Sequence, residues 1–128
     1  MTSFEQNWSA VIKLMDRVHR CWLNPGGGII NETRPTESYN LPLVLSYAVL
    51  DEALSTLRDQ GVFNCNDWQL DKKMKASKNK LPWVNYNLID EGKRARNKLA
   101  HRAELLSETE CRKYVSAVEV ELKAWGLI

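Results

Sequence analysis

The chain has 128 residues, of which 44% are hydrophobic and 27% charged, and a formal net charge of +2. This length and balance predict one soluble globular domain spanning residues 1–128, able to bury roughly two-thirds of its unfolded surface. No apolar run reaches the roughly 18 residues needed to cross a membrane. The three cysteines, Cys21, Cys65 and Cys111, are odd in number and widely spaced, with no Cys-x-x-Cys, which argues against a disulfide framework and for a reducing cytoplasm.

The opening Met1-Thr2-Ser3-Phe4-Glu5-Gln6 has no basic segment followed by an apolar one, so no secretory signal is expected. A first helix is predicted from Ser3 to about Leu23. Phe4, Trp8, Val11, Met15, Val18 and Trp22 recur along it in steps of three and four. His19 falls beside that stripe and reads as a boundary histidine without chemistry. Asn24-Pro25-Gly26-Gly27-Gly28 ends the helix, and a polar loop is expected to about Asn40. The glycines are a turn rather than a phosphate loop, because no Gly-Lys-Ser/Thr follows.

A second helix opens with Pro42 in its first turn, where the missing N–H is tolerated. Leu43, Tyr47, Leu50, Leu54 and Leu57 form its stripe, and Gly61 stops it. A short helix follows from Asp67, capped by Asn66, with Leu70 and Met74 inward. After Leu81-Pro82 a fourth helix begins by Asn87 and runs to about Leu105. Its buried side is read as Leu88, Gly92, Ala95, Leu99, Ala103 and Leu106. The last helix carries a capping box, Ser107 with Glu110, and the stripe Cys111, Val115, Val118, Leu122 and Trp125 before Gly126. No segment alternates with period two. The fold class is therefore all-α, a bundle of four main helices plus a short one.

Charge is unevenly spread. Between Lys72 and Arg102 ten basic residues face only Asp90 and Glu91, a net +8 that leaves −6 for the remainder. A polyanion partner is one reading; a solvated lysine-rich face is the commoner one for such a run. Within the stretch lies Arg96-Asn97-Lys98-Leu99-Ala100-His101. It combines a cation for a phosphate, a polar positioning group and an imidazole able to move protons near neutral pH. With Leu99 taken as the core direction and about 100° per residue, Asn97 falls at about 160°, His101 at about −160°, Arg94 at about −140° and Arg96 at about 60°. Asn97 and His101 thus share an outward face with Arg94, and Arg96 sits on the flank.

Asp90-Glu91 and Asp51-Glu52 are read as solvated carboxylates. No His-Glu-x-x-His or cysteine–histidine cluster suggests a metal, and neither metal nor cofactor is expected. Trp83 and Tyr86 adjoin the basic stretch and could stack on bases, although large aromatics at a helix start more often belong to the core.

A basic helix bearing Arg-Asn-x-x-x-His in a small all-α chain resembles the HEPN family (higher eukaryotes and prokaryotes nucleotide-binding domains). The family motif is an arginine, usually a polar follower, and a histidine after four to six intervening residues; Arg96-Asn97 and His101 fit it with four. The resemblance implies a HEPN-like helical bundle and a metal-independent endoribonuclease, of the kind found as toxins in toxin–antitoxin or phage-defence systems. It implies Arg96, Asn97 and His101 as catalytic residues, with Arg94, Lys93 and Lys98 gripping the RNA. It also implies a homodimer with a composite active site, and a protein antitoxin as a possible partner. Chemistry gives a separate reason for two copies: self-cleavage of RNA needs a base and an acid, and the wheel leaves one outward histidine per chain. The alternatives are a non-catalytic HEPN-like module that binds a nucleotide, RNA or partner, and an unrelated helical interaction protein. A HEPN subgroup paired with small nucleotidyltransferases carries a modifiable tyrosine two residues after the histidine; here that position is Ala103, which sets the chain apart from that subgroup.

Overall fold

The computed structural model describes residues 2–20 and 36–128, and for His19, Arg20, Thr36 and Glu37 the backbone alone. Among these residues five α-helices and one 3-10 turn follow in order: α1 Ser3–Arg20, the turn Thr36–Tyr39, α2 Asn40–Asp59, α3 Leu70–Ser77, α4 Tyr86–Arg102 and α5 Glu108–Ala124. The described residues contain no strand, so the all-α expectation holds. Trp22, Cys21, the glycine turn and most of the expected loop lie outside the described residues. The described end of that loop is ordered as the 3-10 turn, and its Tyr39 is fully buried.

α2 is the central helix, packed on α1 along one side and α5 along the other, while α4 lies on α5. Its predicted stripe, Leu43, Tyr47, Leu50, Leu54 and Leu57, is buried throughout. Trp8, Val11 and Val18 from α1 and Cys111, Val115, Val118 and Leu122 from α5 complete the core. Apolar residues every three or four positions build a stripe wide enough to bury against a neighbour, and that burial, at roughly 25 cal/mol per Å², is the main force holding the bundle.

The helix ends are set locally. The capping box at α5 forms as expected: the Ser107 hydroxyl accepts from the Glu110 N–H at 3.2 Å, and Glu110 accepts from the Ser107 N–H at 3.2 Å. A second box, not anticipated, opens α1, where Thr2 and Glu5 exchange the same pair of bonds. α3 starts at Leu70, later than Asp67, and Asn66 is not its cap; Leu70 and Met74 are buried as predicted. α4 is capped by Asn85, whose side chain accepts from the Leu88 N–H.

Two long-range polar clamps fix the connections of α4. The carboxylate of Glu121, buried on α5, accepts from the backbone N–H groups of Val84 and Asn85 at 2.7 and 2.8 Å, anchoring the entry. The amide of Asn40 donates to the Leu106 carbonyl and accepts from the Leu106 N–H, both at 3.0 Å, anchoring the exit. α4 stops at Arg102, short of Leu105, because Ala103 takes the left-handed conformation, φ 53°. Its N–H then bonds to the Leu99 carbonyl and the Glu104 N–H to the Lys98 carbonyl, which closes the helix end. Ala103 is exposed there rather than buried.

Candidate functional site

α4 carries the site, and its rotation decides what each motif residue meets. The buried positions are Ile89, Gly92 and Lys93, with Leu88, Ala95 and Leu99 only half-buried. On the wheel that placed Leu99 at zero, these three fall at about 80°, 20° and 120°, so the true inward direction lies near 70°. The helix is turned by about a fifth of a revolution from the expectation.

The glycine explains the close approach. At Gly92 an added Cβ would meet the Tyr47 hydroxyl and would lie 2.8 Å from a ring carbon of Tyr114. α4 therefore crosses α2 and α5 where it has no side chain. The Tyr47 hydroxyl uses the opening to donate to the Ile89 carbonyl at 2.8 Å. Burial, with Tyr114 next, pushes the Tyr47 phenol well above its ordinary range.

With that rotation, Arg96 points toward the core rather than along its flank. Its guanidinium carbon stands 5.9 Å from the centre of the Tyr47 ring, and its Nε is buried without a hydrogen-bond partner among the described residues. Asn97 and His101 are both exposed. Four residues apart, they are neighbours on one face. His101 and Arg102 occupy the last turn of α4, where cations are favoured by the exposed carbonyls. Lys98 and Arg94 are exposed as well, and Arg94 pairs with Asp90 at 2.9 Å.

Lys93 is placed differently from a substrate-gripping residue. Its side chain is 7% exposed and its ammonium is held by Asp71 of α3 and by Asp90. Burial alone would lower its pKa, but the hydrogen bonds it donates to Asp71 and Asp90 outweigh it and the net shift is upward. The Lys93 and Lys75 partners hold the Asp71 carboxyl down at about 2. A second buried lysine, Lys73, reaches back to Asp51 and the Ser55 hydroxyl on α2. Of the carboxylates read as solvated, Asp51 and Asp90 are structural, while Glu52 and Glu91 are exposed as expected. Asp51 and Asp90 neutralise buried lysines, and Glu91 accepts from Tyr114 at 2.9 Å, with Lys113 at 3.3 Å, which lowers its pKa. Single-sequence patterning misses these pairs because a buried and a solvated lysine are the same letter.

Two grooves flank α4. One, of about 630 Å³, runs between α4 and the start of α5 and is lined by Glu91, Arg94, Lys98, Glu104 and Glu110 among others. The second, of about 420 Å³, lies between α3 and α4 and is lined by Lys75, Lys78, Tyr86 and Arg94. Arg96, Asn97 and His101 line neither. Trp83 sits edge-on to Tyr86 and Trp125, with ring centres 5.1 and 4.8 Å apart, so it belongs to the packing. Among the described residues no group of three or more His, Cys, Asp or Glu side chains could hold a metal ion, and no helix is long and apolar enough to cross a membrane.

No protein-family model, no curated protein and no solved structure is detectably similar to this chain.

Proposed function

We propose that the chain is an endoribonuclease of the HEPN type that works as a two-fold homodimer and needs no metal. The observation that carries this reading is the exposed pair Asn97 and His101 on one face of α4, directly after Arg96. One copy supplies one exposed imidazole there. Facing α4 helices of two copies would supply two, and a two-fold axis is the commonest way to bring identical surfaces together.

In this reading one His101 removes the proton from a ribose 2′-hydroxyl. The freed oxygen attacks the adjacent phosphorus, and the second copy's His101 protonates the leaving 5′-oxygen. Arg96 stabilises the charge that builds on the phosphorane, and Asn97 positions the phosphate. Lys98 and Arg94 add positive field; Lys93 does not, because Asp71 and Asp90 already hold it. The products are a 2′,3′-cyclic phosphate and a 5′-hydroxyl. A role as a cytoplasmic toxin held in check by a protein antitoxin is consistent with such chemistry.

A second reading, a binding module without catalysis, is favoured by one observation: Arg96 lies over Tyr47 with a desolvated Nε, so that nitrogen is turned away from a phosphate on the exposed face. The deciding experiment is cleavage of single-stranded RNA in the presence of a chelator by wild type and His101→Ala. The expected result is cyclic-phosphate product from wild type and none from the variant. Undiminished cleavage by a clean His101→Ala preparation overturns the enzymatic reading. Sedimentation of the wild type checks for the dimer.

A further inference from the structure

The two grooves beside α4 have opposite sign. Arg94 and Asp90 stand on the ridge between them and line both. On the α5 side Asp90, Glu91, Glu104 and Glu110 face Arg94 and Lys98, a net −2. On the α3 side Lys75, Lys78, Lys93 and Arg94 face Asp71 and Asp90, a net +2. The basic groove exists because α3 and α4 do not pack backbone against backbone. Lys93 bridges the gap to Asp71 and forms its floor. Asp71 and Asp90 each accept from two cations, which tethers Lys75 and Arg94 at the rim with their side chains 64% and 75% exposed. Lys78 lies 4.9 Å from the centre of the Tyr86 ring.

Direction matters as much as charge. On α4 the groove is lined by Tyr86, Asn87, Asp90, Lys93 and Arg94. These fall at about 140°, −120°, 180°, 120° and −140° on the wheel, around the face of Asn97 and His101, about one to four turns earlier. A chain lying in the groove therefore continues along α4 onto the motif.

We infer that the cleft between α3 and α4 holds the phosphodiester backbone of single-stranded RNA, with Lys75, Lys78 and Arg94 as its cations, and leads it to His101. This rests on the ribonuclease reading for what happens at His101, while the binding itself does not. Single-stranded RNA is the form expected, because attack by the 2′-hydroxyl in line with the leaving oxygen needs a nucleotide free of the A-form helix. The acidic groove on the other side repels the strand and gives the path one side only.

The test uses the full chain and a fluorescent 2′-O-methyl oligouridylate of about 20 nucleotides, which cannot attack its own phosphate. Affinity is titrated against salt for wild type, for K75Q/K78Q, and for K13Q/K123Q, which removes equal charge from α1 and α5. Each phosphate contact on a single strand contributes about 0.7 to the slope of log K against log salt. K75Q/K78Q is expected to lower the slope by about 1.4, a loss of about 25-fold at 0.1 M salt, while K13Q/K123Q keeps the wild-type slope. Equal losses in both double variants, or a wild-type slope in K75Q/K78Q, overturn the assignment. Cleavage of unmodified RNA by the same preparations separates the two proposals. Wild type that cleaves while K75Q/K78Q binds normally removes the cleft and leaves the nuclease. Wild type that binds through the cleft without cleaving leaves the cleft and removes the nuclease. Wild type that neither binds nor cleaves removes both.

Discussion

The hydroxyl of Tyr47 donates to the carbonyl of Ile89 across a gap that only Gly92 leaves open. One methyl group at Gly92 would meet both that hydroxyl and the Tyr114 ring. Overpacking of this kind costs about 3 kcal/mol, and the better helix propensity of alanine returns at most about 1 kcal/mol. Gly92→Ala is expected to lower stability by about 2 kcal/mol, read as an earlier midpoint in urea with an unchanged slope.

Ala103 stops α4 at a φ of 53°, a region that costs an L-residue roughly 1–2 kcal/mol. Glycine removes that cost and gives back about half of it through its freer unfolded chain. Ala103→Gly is expected to stabilise the fold by about 0.5–1 kcal/mol, a melting point higher by a few degrees. Ala103→Val should lower it, since a β-branched residue fits that region worse.

Arg96 tests the separation of fold from chemistry. Removing it forfeits a cation–π contact of about 0.5–1 kcal/mol with Tyr47 and relieves a desolvated Nε of comparable cost. Arg96→Ala should therefore change stability by less than about 1 kcal/mol, while the proposed cleavage falls by about 10²- to 10³-fold. A variant that melts as wild type and cleaves as wild type would show that Arg96 has no part in the reaction.

Asp71 gives the fold a pH dependence. Its carboxyl titrates near 3.8 when unfolded and at about 2 in the fold, chiefly through hydrogen bonds from Lys93 and then Lys75. A depressed folded pKa adds stability above pH 4 that is lost as pH falls from about 4 to about 2. The side chain is 35% exposed, so solvent screening reduces the contribution to about 1 kcal/mol. Asp71→Asn should be less stable than wild type at pH 6, with the difference closing between pH 4 and pH 2 in chemical denaturation.

Much of the bundle was legible because it is encoded within a few residues. Ser107 and Glu110 find each other three positions apart, and the stripes of α2 and α5 need only helical periodicity. The rotation of α4 was not legible. Leu99 is far more apolar than Lys93, yet Lys93 with Ile89 sets the buried face, and Lys93 is buried because Asp71, 22 positions away, meets it together with Asp90. The same error put Arg96 on the flank when it lies over Tyr47. Asn97 and His101 remained outward because a turn of about 70° was too small to bring them to the core.

Asn40 and Leu106 join across 66 positions of chain. Such a link cannot form until the intervening helices have gathered, because closing a long loop costs entropy before any bond returns it. It is therefore expected to form late in folding. Its loss in Asn40→Ala should leave the refolding rate nearly unchanged and accelerate unfolding. The clamp that sets the exit of α4 thus acts as a lock on the finished molecule, governing how long the native state lasts more than how quickly it is reached.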